Sequence, residues 1–430
     1  MSACFMKSSK FCAFVATALL AGCVIEPPIE AEEAPKQAPA LTPNVALTAP
    51  KEFLDLYGVQ AIAITMPAGE WKKFIDAVEN PNKATEDLYF PGQVTIDQKP
   101  YANAAFKNFG VGSQVLNPEK ANVRIKFDEY NPDLKGPEGL HNLRLKAAGQ
   151  DPTFLREQLA NDLVRAAGGL APRWTWAQLT VNGEVYGLYI AFEHTDKQMY
   201  DRLFDSKDGN EYDPIGGCLG LNCPAKGCAG IKSYYGSDPG DYQTLIQLAS
   251  AIADSSDEDL LAKVSPLVEV EGLLALYAVE AVVSNYDGLV AAGHNFRTYQ
   301  DPKTGKLNFI GRSMDLSLGI WEGMYPLQTP WGTPNTWCKN RNDLFYSRAW
   351  KVPAVKDKLM TKFRALQCGA FKPAPLKTWL RDMRSRIAPL RLAEPKPTFK
   401  PAEEEVSYLL LEKYIDDRGK QLDALLGHCP

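Results

Sequence analysis

The sequence predicts an α+β protein with two lobes, the first rich in strands and the second in helices. Three observations carry that reading. Short apolar–polar alternations of period two crowd the stretch from residue 59 to 192, and longer apolar runs of helical period crowd residues 242 to 426. No linker-like composition separates the last helices from Gly319, so they complete the second lobe.

Val59 to Thr65 alternates as a strand, Glu70 to Val78 reads as a short helix, and Val94 to Asp97, Ala104 to Asn108 and Asn122 to Phe127 read as further strands. Asp151-Pro152 supplies an N-cap and a proline suited to a first helical position. Phe154 to Ala167 then follows as a helix that Gly168-Gly169 stops. Trp174 to Val181 and Glu184 to Phe192 flank Asn182-Gly183, a strong hairpin signal. Between Lys197 and Asp241 the pattern dissolves into Gly, Pro, Asp and three cysteines, which predicts a long disulfide-held loop. Helices are expected at Tyr242 to Ala253, Asp257 to Lys263 and Gly272 to Ser284, the last apolar on every side and therefore buried. A short strand, Leu307 to Ile310, precedes a mostly helical stretch from Asn342 to Leu426.

The first 22 residues read as an export signal. Lys7 and Lys10 precede an apolar run, Phe11 to Leu20, too short to span a bilayer. Leu20-Ala21-Gly22-Cys23 has the form of a lipobox, which makes Cys23 the expected lipidation site; an ordinary signal peptide is the alternative. Val24 after it favours the outer membrane over inner-membrane retention. Residues 23–50 are Pro-rich without apolar period and read as a tether to the cell envelope. A net charge of −5 gives no electrostatic case for nucleic acid. In an oxidising compartment Cys218, Cys223, Cys228, Cys338, Cys368 and Cys429 are disulfide candidates. Zinc is disfavoured, because the first three lack ligand spacing and have no neighbouring histidine.

Two blocks then become specific. The first runs from Asn122 to Glu193 and includes RIKFDEY, GLHNLRLKAAGQDPTFLREQLANDLV and VNGEVYGLYIAFEH; the second is SNYDGLVAAGHNFRTYQDPKTGKLNFIGRSMDLSLG, Ser284 to Gly319. Together they resemble the CotH (spore coat protein H-like) family of atypical protein kinases. The resemblance implies a two-lobed protein-kinase-like fold over residues 51–430, with lobes at 51–196 and 197–430. It also implies ATP and magnesium as cofactors, and Ser or Thr of a secreted, surface or coat protein as acceptor.

Phosphoryl transfer needs contacts to the phosphates, oxygen ligands for a divalent metal, and a carboxylate near the acceptor hydroxyl. Gly110, Gly112 and Ser113 form a Gly-rich turn between two predicted strands, where small residues let the backbone approach phosphate. By the resemblance Lys126, held by Glu157, would contact the phosphates, with Lys146 as the rival lysine, and Glu193 would lie at the adenine edge where the chain passes between lobes. Asp287 would orient the acceptor hydroxyl, and Asn295 and Asp315 would coordinate magnesium. Ser313 stands where the family usually has a further carboxylate, which leaves a non-catalytic scaffold of the envelope or coat open as the alternative. A carbohydrate-binding module, suggested by the tryptophans, is weaker because tryptophans at such positions usually belong to a core. The four histidines show no paired zinc-protease spacing, and neither a Gly-x-Ser-x-Gly elbow nor a Walker loop occurs.

Overall fold

Alternation in the first half closes a sheet on itself. The computed structural model describes residues 53–430 apart from 56, 68, 81–87, 111–116, 118–119, 215–230, 236–241, 321–326 and 328–343. Strands β1 (Val59–Thr65), β2 (Phe90–Ile96), β3 (Lys99–Asn108), β4 (Val123–Lys126), β5 (Asn142–Lys146), β6 (Trp174–Val181) and β7 (Glu184–Glu193) form a closed barrel in the order β1-β2-β3-β4-β5-β7-β6. Its seam is a parallel pairing of β1 with β6; the other pairs are antiparallel. Closure removes the unpaired edges that an open sheet would expose.

Period two sends one face of each strand inward. Ile62, Ile64, Val94, Ile96, Phe106, Val123, Ile125, Leu143, Leu145, Leu179 and Val181 fill the barrel. Helix α1 (Glu70–Glu79) adds Phe74, whose ring meets Phe90 edge-on at 5.6 Å. The β6–β7 turn adopts the expected hairpin form, with Asn182 and Gly183 both in the left-handed region. The Asn182 side chain accepts the Met66 amide at 2.8 Å and so ties the hairpin to the end of β1.

A second core belongs to the helices. Helix α2 (Arg156–Ala166) lies between the outer wall of β6–β7, where Trp174, Trp176 and Ile190 point away from the barrel, and the all-apolar helix α6 (Val270–Val283). Helices α3 (Lys197–Phe204), α4 (Gln243–Asp254), α5 (Leu260–Val264), α7 (Leu289–Ala292), α8 (Leu344–Ala349), α9 (Pro353–Cys368), α10 (Pro373–Leu392) and α11 (Pro401–Leu426) complete this half. A small sheet runs β11-β10-β8-β9, built from β8 (Glu211–Pro214), β9 (Ile231–Tyr235), β10 (Phe296–Gln300) and β11 (Leu307–Gly311). The two halves are the α+β pair expected. A disulfide joins Cys368 to Cys429; Cys23, Cys218, Cys223, Cys228 and Cys338 lie outside the described residues.

The stretch from Lys197 to Asp241 departs from the long loop expected of it. Asp196 caps α3 through its side chain, which accepts the Gln198 amide at 3.0 Å, and β8 pairs with β10 through Thr298 opposite Tyr212. A four-residue strand stabilised by a partner some 85 residues away leaves no local alternation to read.

Candidate functional site

The outer face of β4 and β5 is where charge gathers. Because Leu143 and Leu145 fill the barrel, Asn142, Arg144 and Lys146 must face outward, and Arg124 and Lys126 do the same on β4. The Lys146 ammonium lies 2.5 Å from Glu157 Oε2 and 2.9 Å from Asp315 Oδ1, with all three side chains under 10 % exposed. Glu157 is placed by the start of α2, where the Asp151 carboxylate accepts the amides of Leu155 and Arg156 at 3.0 and 2.9 Å. Asp315 follows β11 in a turn.

Two carboxylates share one lysine here, so the cluster carries an excess negative charge. Burial alone would pull Lys146 down, yet Asp315 and Glu157 together hold it above its ordinary value. Glu157 is raised as well, by burial and by the neighbouring charge of Asp315 against the pull of Lys146. The causes differ: burial raises Glu157 most and the Asp315 charge adds to it, whereas the two carboxylates raise Lys146 against burial.

A second loop is packed against this one. The Glu280 carboxylate, buried near the end of α6, accepts the amides of Leu289 and Val290 at 3.0 and 2.7 Å and thereby folds residues 284–290 back over the helix end. Gly288 permits this, since a Cβ there would fall 2.2 Å from Asn285 Nδ2 and 2.5 Å from Glu280 Oε1. Asp287 is held at the loop's tip, where the Asn295 amide donates to its carboxylate at 2.7 Å and to its carbonyl at 3.0 Å. His294 Nδ1 lies 3.4 Å from the other carboxylate oxygen. Two backbone bonds join the loops: Tyr286 N donates to Leu316 O at 2.8 Å, and Arg312 N donates to Asn295 O at 3.1 Å. The loop that carries Asp287 and Asn295 is therefore bonded to the segment that carries Asp315, which in turn meets Lys146.

The donors fit magnesium, a hard cation that takes a few carboxylate or amide oxygens and leaves its other positions to water and phosphate. Asn295 and Asp315, with Asp287 beside them, would hold it. Among the described residues no group of three His, Cys, Asp or Glu gathers into an all-protein cage. Bound there, magnesium would neutralise phosphate charge.

A family model described as CotH kinase protein matches residues 110–422. The chain belongs to this family. It is 24 % identical to Invasin CotH2 of Rhizopus delemar over 59 % of this chain and 44 % of that protein. It is 25 % identical to the inner spore coat protein H of Bacillus subtilis over 48 % of this chain and 57 % of that one. The chain thus spans about half the length of the curated relatives it matches. Among solved structures it is similar to the proinflammatory kinase CtkA of Helicobacter pylori, at 11 % identity and a TM-score of 0.28, over 70 % of this chain and 98 % of that one.

Within this CotH kinase chain, the structure brings Glu157, Asp287, Asn295 and Asp315 together and corrects the lysine. Glu157 is the partner of Lys146, whereas Lys126 turns to Glu129 at the cleft's edge and lies 5.6 Å from the Tyr89 ring centre. Lys126 and Lys146 both face outward, but they stand at opposite ends of the antiparallel β4–β5 pair, Lys126 opposite Asn142, and only Lys146 reaches Glu157. Gly110 has a left-handed φ of 82° just past β3, and neighbouring Phe109 stacks beneath the Arg144 guanidinium at 4.3 Å. Gly112 and Ser113 lie outside the described residues. Glu193 does end β7 where the chain crosses between halves. Its carboxylate is enclosed there by Arg173 at 2.9 Å and Arg202 at 2.6 Å, and its amide donates to Arg173 O at 2.9 Å. Sequence reasoning passed over Glu280 and the arginines at 124, 144, 297 and 312. The alternation of RIK and LRLK was the available signal for the first two.

Proposed function

We propose that this protein is a kinase-like phosphotransferase that uses ATP and magnesium to modify Ser or Thr of a surface, envelope or coat protein. The observation that carries the proposal is Lys146 bridging Glu157 and Asp315 beside Asp287 and Asn295. Lysine, helix glutamate and metal-binding aspartate are the parts that protein kinases bring together around the phosphates. In this reading Lys146 orients the phosphates, Glu157 holds the lysine, Asn295 and Asp315 hold the metal, and Asp287 accepts the proton of the attacking hydroxyl. The names of the relatives, an invasin and a spore coat protein, support a place at the cell surface or in the coat. The lipobox supports attachment to the envelope membrane through Cys23.

A second reading is favoured by Ser313, which stands where a further carboxylate would strengthen metal binding. It makes the protein a non-catalytic scaffold that keeps the cleft. Calorimetric titration with ATP, with and without magnesium, separates the two. Binding that requires magnesium and disappears in Asp315→Ala supports phosphotransfer, and a folded protein that binds no ATP in either condition leaves the scaffold.

A further inference from the structure

Beyond Lys146 the cleft is lined by guanidinium groups that the triad does not use. Arg124 and Arg144 are direct cross-strand neighbours on the outward face of β4 and β5. Arg144 pairs in register with Phe192 and Lys146 with Ile190, so the arginines lie on the side of Lys146 nearer Glu193, where the chain crosses between halves. Arg297 of β10 and Arg312 past β11 act on Arg144 through their charge; Arg297 contacts Glu211 and Asp213 at 2.9 and 2.6 Å, and Arg312 contacts Asp213 at 3.2 Å. Among the described residues no carboxylate contacts Arg124 or Arg144: Arg124 Nε donates to Asn142 Oδ1 at 3.0 Å, and Arg144 rests on the Phe109 ring.

Like charges directly opposite on paired strands repel, and partial burial weakens the solvent screening that would relieve them. Arginine stays charged near neutral pH, so the repulsion persists in the ligand-free protein. Its effects spread through the cleft. Burial, with the like charges of Arg124, Arg144, Arg297 and Arg312, pushes His194 well below its usual value. A multiply charged oxyanion would relieve the repulsion, and the planar forks of arginine match phosphate oxygens in pairs.

We propose that Arg124, Arg144 and Arg312, backed by Arg297, form a phosphate-binding subsite on the interlobe-crossing side of Lys146, one that holds a phosphate group without metal. It deepens the phosphotransfer reading by placing a second phosphate position outside the magnesium site. The phosphate belongs either to a nucleotide or to a free polyphosphate.

The test titrates the full chain in EDTA with tripolyphosphate, ATP and adenosine in turn, by calorimetry and thermal shift. Tripolyphosphate or ATP binds and raises Tm without metal, and adenosine does neither. Arg144→Gln and Arg124→Gln each weaken that binding on the order of tenfold or more, as the loss of a charge-assisted hydrogen bond implies. Each also raises the Tm of the ligand-free protein, because a like charge has gone; a merely structural arginine would lower it. The exposed Lys303→Gln changes neither quantity. Equal affinity for tripolyphosphate and ATP assigns the site to phosphate alone, and much tighter ATP assigns it to nucleotide phosphate. Absence of metal-free binding by both anions, or full affinity in Arg144→Gln and Arg124→Gln, overturns the proposal. Asp315→Ala separates the two readings: it removes magnesium-dependent ATP binding and spares the metal-free anion. A protein that binds tripolyphosphate in EDTA but never ATP with magnesium keeps this subsite and loses the phosphotransfer reading.

Discussion

Two buried glutamates, Glu193 at the end of β7 and Glu157 at the start of α2, differ in the charges that surround them. Glu193 faces two arginines, Arg173 and Arg202, and they hold its carboxyl below the usual carboxylate range despite the upward push of burial. Glu157 shares a single lysine with Asp315 and is raised. The first cluster is complete and does structural work where the chain crosses between halves. The second sets two carboxylates against one contacting lysine, with the Arg144 charge acting on Glu157 without touching it. The balance of charge within a buried cluster, more than burial itself, separates a brace from a binding site.

Breaking the brace should have the largest effect. Glu193→Ala strands two arginines in a buried position, and equilibrium urea unfolding should show a loss of about 4 kcal/mol. Glu157→Gln, in contrast, relieves a surplus and should cost less than about 1 kcal/mol by the same measurement. Equal losses would erase the distinction.

A third buried cluster sharpens it through pH. Lys120 lies 3.0 Å from Glu394 with both side chains enclosed, and burial outweighs the glutamate's attraction and pushes the lysine from 10.5 down to about 8. Above about 8 the folded protein sheds a proton that the unfolded chain keeps up to 10.5, so stability from this group grows as pH rises through that window and is lost again as pH falls through 8. The gain across the window is about 3 kcal/mol. The stability difference between the wild type and Lys120→Met, read from urea unfolding at successive pH values, should be constant below about 8 and shift in favour of the wild type between about 8 and 10.5.

Smaller effects belong to the cleft. Lys146→Met should weaken ATP binding in magnesium by roughly 30-fold, the loss expected of a charged hydrogen-bond donor on phosphate, while Lys126→Met should change it less than about twofold. Ser313→Asp restores a carboxylate and should tighten magnesium by several-fold in the presence of ATP, read from the magnesium dependence of the titration.

Much of the barrel was legible, because period-two alternation and the Asn182-Gly183 turn are local signals. The same locality explains the misassigned lysine. RIK and LRLK obey one pattern, and nothing within either says which strand α2 will cross. Asp287, Asn295 and Asp315 were singled out through resemblance to a family, whereas the pairing of Arg124 with Arg144 required the β4–β5 register. Strand β8 was hidden for a related reason: its partner comes much later in the chain.

Glu394 carries a consequence for the order of events in folding. It lies in the turn between α10 and α11, yet it accepts the Leu188 amide of β7 at 3.1 Å, and a Cβ on Gly187 would fall only 1.6 Å from its carboxylate. The barrel is therefore finished by a side chain made 206 residues after the strand it bonds. Until that residue emerges, Lys120 has no counterion and β7 keeps an unfilled notch. The first half of the chain must wait for the last helices before its own wall is sealed, which makes the two halves a single cooperative unit in time as well as in space.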